Sequence, residues 1–168
     1  LDIAGVILVV LDRGGHVTLL NRKGHELLEY GEGDLIGKNW FGTCLPVHVR
    51  DRVEAAFGHL ITGDLKPKEY VENAVLTRSG VERLIAWHNS LLYDEAGNIV
   101  GTLSSGEDIT EKRQTQEALR KANDELEQRV EERTAELASV NERLKQEVAV
   151  RTQAQQALEE ERELLKQL

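Results

Sequence analysis

Five histidines and a single cysteine are the side chains of this 168-residue chain best suited to metal binding or nucleophilic chemistry. Their spacing keeps them apart. His48 and His59 share a helix face but are 11 residues apart. That separation is about 16 Å at ~1.5 Å per residue, too far to share one ion. Cys44 and His48 are close in sequence, but Pro46 lies between them and no third group is placed to orient a nucleophilic pair. A buried, inert thiol is the ordinary role for such a cysteine. His88 alternates to the face opposite Trp87 and reads as an interface residue. The chain carries no HExxH, no phosphate-binding loop and no paired-carboxylate signature. Neither a metal site nor a catalytic set follows, and an enzymatic role for this segment is set aside.

The elements explain where such side chains are placed. All seven aromatic residues and all fourteen glycines precede Asp108, and the last proline is Pro67. Ile3–Leu11 (IAGVILVVL) is a β-branched run that predicts a buried strand. Asp12–Gly15 supplies a tight turn into a second strand, His16–Leu20. Asn21 is placed to cap a short helix through Tyr30. Asp34 is placed to cap another helical turn, and Gly37–Pro46 reads as irregular. Val47–Thr62 carries Val49, Val53, Ala56, Phe57, Leu60 and Ile61 at the spacing of one buried helical face. Three strands follow at Tyr70–Thr77, Val81–Tyr93 and Ile99–Glu107. The order predicts an α+β domain over residues 1–109, with a five-stranded antiparallel sheet and short helices on one face.

Residues 110–168 contain no helix breaker and predict one long helix. Asp108 with Glu111 three residues later resembles a capping box. Apolar residues at Leu119, Leu126, Val130, Leu137, Val140, Leu144, Leu158 and Leu165 form a heptad-like seam, with a stutter where Val140, Leu144 and Val148 step by fours. Asn123, Arg133, Glu147, Arg151 and Glu161 interrupt that seam. Glu117–Lys121, Glu125–Arg129 and Glu147–Arg151 have the favourable i,i+4 order on the surface. A lone helix of this length needs a partner, and no loop lets the segment fold back. The expectation is therefore a parallel dimeric coiled coil and a homodimer.

The net charge of −9 and the lack of a basic block argue against nucleic acid as a partner. One cysteine excludes an internal disulfide and fits a reducing compartment. The apolar run Ile3–Leu11 is far too short to span a bilayer. The chain has no methionine, so it reads as a segment of a longer protein; the expected location is cytoplasmic, with room for a membrane anchor upstream.

With the order of elements established, GKNWF (Gly37–Phe41), Glu72-Asn73, AWHN (Ala86–Asn89), the DEAGN turn and GEDITEK (Gly106–Lys112) together resemble a PAS domain over residues 1–110. LEQRVEERTAEL (Leu126–Leu137) and the residues after it resemble the signalling-helix coiled coils of bacterial sensor proteins. The first resemblance implies an interior that holds a ligand in some family members and a packed core in others. Period-2 alternation places Trp87, Asn89, Asn73, Thr102 and Ser104 on that interior face as a candidate small-molecule pocket. The DIT residues Asp108, Ile109 and Thr110 would form the signal junction, with Arg113 as an ion partner. Photosensory flavin members carry a cysteine where this chain has Trp40. Haem-binding members carry their proximal histidine where it has Arg52. Both cofactors are disfavoured, and the cofactor stays open. The combined resemblance implies the sensory and dimerisation segment of a two-component histidine kinase, relaying a change to a downstream kinase domain in the phosphorelay. The alternatives are a ligand-free structural spacer and the same segment of another output protein, such as a diguanylate cyclase.

Overall fold

The computed structural model describes residues 5–64 and 70–166, with side chains to residue 162. The elements run β1 (Ile7–Asp12), β2 (Val17–Leu20), α1 (Arg22–Leu28), α2 (Trp40–Cys44), α3 (Val47–Ile61), β3 (Val71–Leu76), β4 (Glu82–Tyr93), β5 (Ile99–Asp108) and α4 (Thr110–Lys166). The five strands form one antiparallel sheet in the order β2-β1-β5-β4-β3. The first and last strands of the domain are therefore central neighbours, and the α+β architecture expected from the sequence is present.

Alternation along β1 buries Ile7, Val9 and Leu11 on the inner face. They pack against Leu28, Leu35, Trp40, Phe41, Cys44 and Leu45 from the helical layer and its connections. At the β1–β2 turn the Asp12 carboxylate accepts the backbone N–H groups of Gly14 and His16, each at 2.8 Å. Gly15 has φ 76°, and a Cβ there would stand 2.3 Å from the Phe41 ring, so both the backbone and the space require glycine.

Several boundaries differ from the expectations. β1 begins at Ile7 because Gly5 turns the chain with φ 87°; Ile3 and Ala4 lie outside the described residues. α1 ends at Leu28, where Glu29 takes the left-handed conformation at its C-cap. Asp34 starts no helix: its carboxylate accepts from the Gly31 N–H at 3.1 Å and closes a turn. Within Gly37–Pro46, Asn39 caps α2 by accepting from the Gly42 N–H.

The apolar face of α3 is only partly buried. Val49 and Ile61 are enclosed, Val53 and Phe57 are half-buried against the core, and Ala56 is exposed. That face borders a cavity instead of packing directly on the sheet.

Leu1–Gln114 and Thr115–Leu168 form two compact units. The second is the body of α4. Its seam side chains Leu119, Leu126, Val130, Leu137 and Leu158 are 57–66% exposed, while Val140 and Leu144 are less so. Leu165 lies in the helix, but its side chain is outside the described residues. The three expected i,i+4 ion pairs do not close. Arg133 instead reaches Glu136 at 2.9 Å, and Gln128 reaches Glu132. Exposed long side chains gain little from such pairs and adopt other rotamers freely.

Candidate functional site

The sheet register builds the floor of a cavity from rows of facing residues. One row runs Ile7, Gly106, Trp87, Val71, and the next runs Val9, Ser104, Asn89. Leu11, Thr102 and Leu91 form a third. The ring of Trp87 lies over Gly106, where a Cβ would stand 2.6 Å from Cζ3. The edge of Trp40 meets the same ring, with centroids 5.9 Å apart and planes at 86°. The wall opposite is the half-buried face of α3, whose Phe57 ring packs on Phe41 at 5.1 Å.

Between floor and wall is a cavity of about 430 Å³, within the usual size range for small-molecule sites. All five residues expected to line it do so: Trp87, Asn89, Asn73, Thr102 and Ser104. Thr102 and Ser104 are buried, and the Ser104 hydroxyl donates to Asn89 Oδ1 at 2.6 Å. This pair places polar atoms inside without leaving the hydroxyl unpaired. Cys44 is enclosed in the core nearby, and burial pushes its thiol up to about 12. It is a packing residue with almost no thiolate at neutral pH.

The junction between β5 and α4 is closed by a compact set of bonds. Thr110 is the centre. Its N–H donates to Asp108 Oδ1 at 2.9 Å, its hydroxyl donates to the same oxygen at 2.5 Å, and its Oγ1 accepts the Leu84 N–H at 2.8 Å. Ile109, buried, donates its N–H to the Leu84 carbonyl and accepts from Arg113 N–H. The capping box is therefore displaced. Asp108 is the last residue of β5, and its carboxylate serves Thr110, not Glu111. The expected pairing of Arg113 at the junction also takes another form. Asp108 faces Arg83 at 3.8 Å, and Arg113 donates to both carboxylate oxygens of Glu72 at 2.6 and 2.8 Å.

Glu72 links the two constellations. Its strand neighbours Val71 and Asn73 face the cavity, and its own side chain, on the other face of β3, holds the first turn of α4. The Tyr70 hydroxyl donates to it at 2.7 Å, and this bond together with the Arg113 guanidinium holds its carboxyl below the ordinary carboxylate range. Sequence reading did not pair Glu72 with Arg113, because the two are 41 residues apart in the chain.

Residues 1–114 match the family model described as PAS fold. The chain belongs to the PAS family. Such domains are sensory modules of signalling proteins, and here the PAS cavity and the PAS-to-helix junction both lie within the matched residues. The PAS domain of the RpfR quorum-sensing receptor of Cronobacter turicensis, solved in complex with BDSF, is 25% identical, with 66% of this chain and 99% of that one covered and a TM-score of 0.54. A sensory box histidine kinase/response regulator from Burkholderia thailandensis shares the fold at 24% identity, covering 74% and 92%, with a TM-score of 0.56. A PAS domain from Colwellia psychrerythraea shares it at 20% identity, covering 64% and 89%, with a TM-score of 0.57. No curated protein matches the chain.

Among the described residues, no group of three or more His, Cys, Asp or Glu side chains is placed to hold a metal ion, and no helix is long and apolar enough to cross a membrane. The lining also includes residues not assigned to the pocket from the sequence, among them Trp40 and Arg52. Trp40 comes from α2, which was expected to be irregular. Arg52 reaches the cavity from α3, on the same helix side as Val49 and Ala56 by their three- and four-residue spacing. That periodicity was visible in the sequence and would have placed Arg52 there.

Proposed function

We propose that this chain senses a small molecule in its PAS cavity and passes the change through α4, as a homodimer, to an output domain in the parent protein. Glu72 is the observation that carries the reading. Val71 and Asn73 of β3 line the ligand space, and Glu72 between them, with its side chain on the other face of the sheet, grips Arg113 in the first turn of the output helix. A ligand that shifts Glu72 alters the anchoring of α4, and the equilibrium between two helix arrangements moves by the ligand's differential affinity for them. The Cronobacter PAS domain solved in complex with BDSF supports small-molecule binding by this fold.

The seam of α4 is apolar and exposed in one chain. Pairing in parallel with a second copy would bury Leu126, Val130, Leu137, Val140 and Leu144 in the core, with Arg133 interrupting the layers between Val130 and Leu137. The resemblance of Leu126–Leu137 and the following residues to sensor-protein linkers makes a histidine kinase core the favoured output, acting in a cytoplasmic two-component phosphorelay.

Native mass spectrometry of the purified chain tests the reading. Two chains with a discrete small-molecule adduct are expected. A monomer at micromolar concentration would sink the coil, and a dimer that carries no adduct and gains none from a cell extract would leave only a structural spacer.

A further inference from the structure

The ligand-sensing reading leaves the chemistry of the ligand open, and the charges around the cavity narrow it. Among the described residues, Arg52 is the ionisable side chain on the cavity side; Glu72 joins the lining through β3, but its side chain lies on the other face of the sheet. Glu72 is fully engaged by Tyr70 and by Arg113. Arg52 has no hydrogen bond or ion pair to any described residue. Its neighbour Arg50 shows the contrast: that guanidinium is used up on the carbonyls of Phe41, Gly42 and Leu45. Asn73, also in the lining, likewise has no side-chain partner among the described residues. The rest of the lining is mainly apolar, with Trp40, Phe57 and Trp87 the largest surfaces.

A guanidinium offers five N–H donors in a planar fork and no acceptor, and its best match is a carboxylate held bidentately. A cationic ligand would meet the like charge of Arg52 with no carboxylate facing it among the described lining residues. A neutral apolar ligand would make no use of the donors of Arg52 and Asn73. Resting on the ligand-sensing reading, we infer that the PAS cavity takes an amphipathic carboxylate, with Arg52 as the charge partner of its head group, Asn73 as a second donor and the aromatic surfaces as the seat of its apolar chain.

Titration with decanoate and with decanol, two probes that share a chain length and differ in charge, tests this. Both tryptophans line the cavity, so intrinsic fluorescence reports occupancy. Decanoate is expected to bind the wild type more tightly than decanol. Arg52→Gln is expected to weaken decanoate by roughly ten- to a hundredfold, the scale of a lost hydrogen bond to a charged group. It should leave decanol unchanged, and Arg52→Lys should recover part of the loss. Because Arg52 is exposed and unbonded to described residues, these variants should melt with the wild type, and a matching melting temperature separates lost binding from lost fold. Equal binding of the two probes with no effect of Arg52→Gln overturns the carboxylate inference and leaves the sensor reading intact. If neither probe binds, the inference also falls. A discrete adduct in native mass spectra then keeps the sensor reading, and its absence removes both.

Discussion

Gly106→Ala is the sharpest probe of the cavity floor. Gly106 is held in register on both sides, opposite Ile7 on β1 and Trp87 on β4. A methyl group there would stand 2.6 and 2.7 Å from two atoms of the Trp87 ring and 2.7 Å from Ile85 Cγ2. Carbon atoms pack at about 3.5–4.0 Å, so roughly 1 Å of movement is required. The Trp87 ring cannot give way freely, because the edge of Trp40 meets it. Ile85 is fully buried. Overpacking of this kind costs about 1–3 kcal/mol. In a domain of about 100 residues each kcal/mol lowers the melting temperature by roughly 4–8 °C. Near-ultraviolet circular dichroism is the appropriate assay, since all seven aromatic residues precede α4 and the signal follows the PAS domain alone. Gly58→Ala is the control. Gly58 lies within α3 with nothing within 4 Å of the added methyl, so helix propensity should stabilise the domain by about 0.5–1 kcal/mol. If Gly106→Ala melted with the wild type and left tryptophan emission unchanged, Trp87 would not rest on Gly106 and the cavity floor described above would be wrong.

Three other outcomes are expected. Thr110→Val removes the acceptor of the Leu84 N–H and should destabilise the domain by about 1–3 kcal/mol in chemical denaturation, whereas Thr110→Ser should retain most of the stability. Glu72→Gln should lower the melting temperature at pH 7. The carboxyl of Glu72 is depressed in the folded state by Tyr70 and Arg113, so its contribution is complete above the unfolded value of about 4.3 and is lost as pH falls through the lower folded value. Wild type and Glu72→Gln should therefore converge in acid, and a gap that widened there would reverse the assigned sign. Cys44, with its thiol raised to about 12 by burial, should resist thiol reagents at pH 8 in the native protein and react promptly in denaturant; fast native labelling would mean that the core around it opens.

The architecture was legible because its signals are local. Apolar alternation placed β3, β4 and β5 within a residue or two, and Asn21 capped α1 as its side chain predicts. Period-2 alternation was also enough to put Trp87, Asn89, Asn73, Thr102 and Ser104 on one face, since a strand's parity does not depend on its neighbours. Helix α2 was missed because a five-residue helix is too short to show periodicity, and its signal is the single cap Asn39. Asp108 was assigned to Glu111 because the capping-box spacing is a sequence rule, while the strand ladder carried Asp108 one residue further into β5.

Composition alone pointed to one uninterrupted helix after Asp108, described here as Thr110–Lys166, and to a separate domain holding the aromatics and glycines. Only the tertiary structure decided that the apolar face of α3 borders a cavity, and that Arg52, with no partner among the described residues, lines it. It also decided that Arg113 belongs to Glu72 and Asp108 to Arg83. The reason is physical. Periodicity fixes which side of an element a residue occupies, but the ion partner of a side chain depends on which strands the ladder brings together, and Glu72 and Arg113 meet only after β3, β4 and β5 have paired.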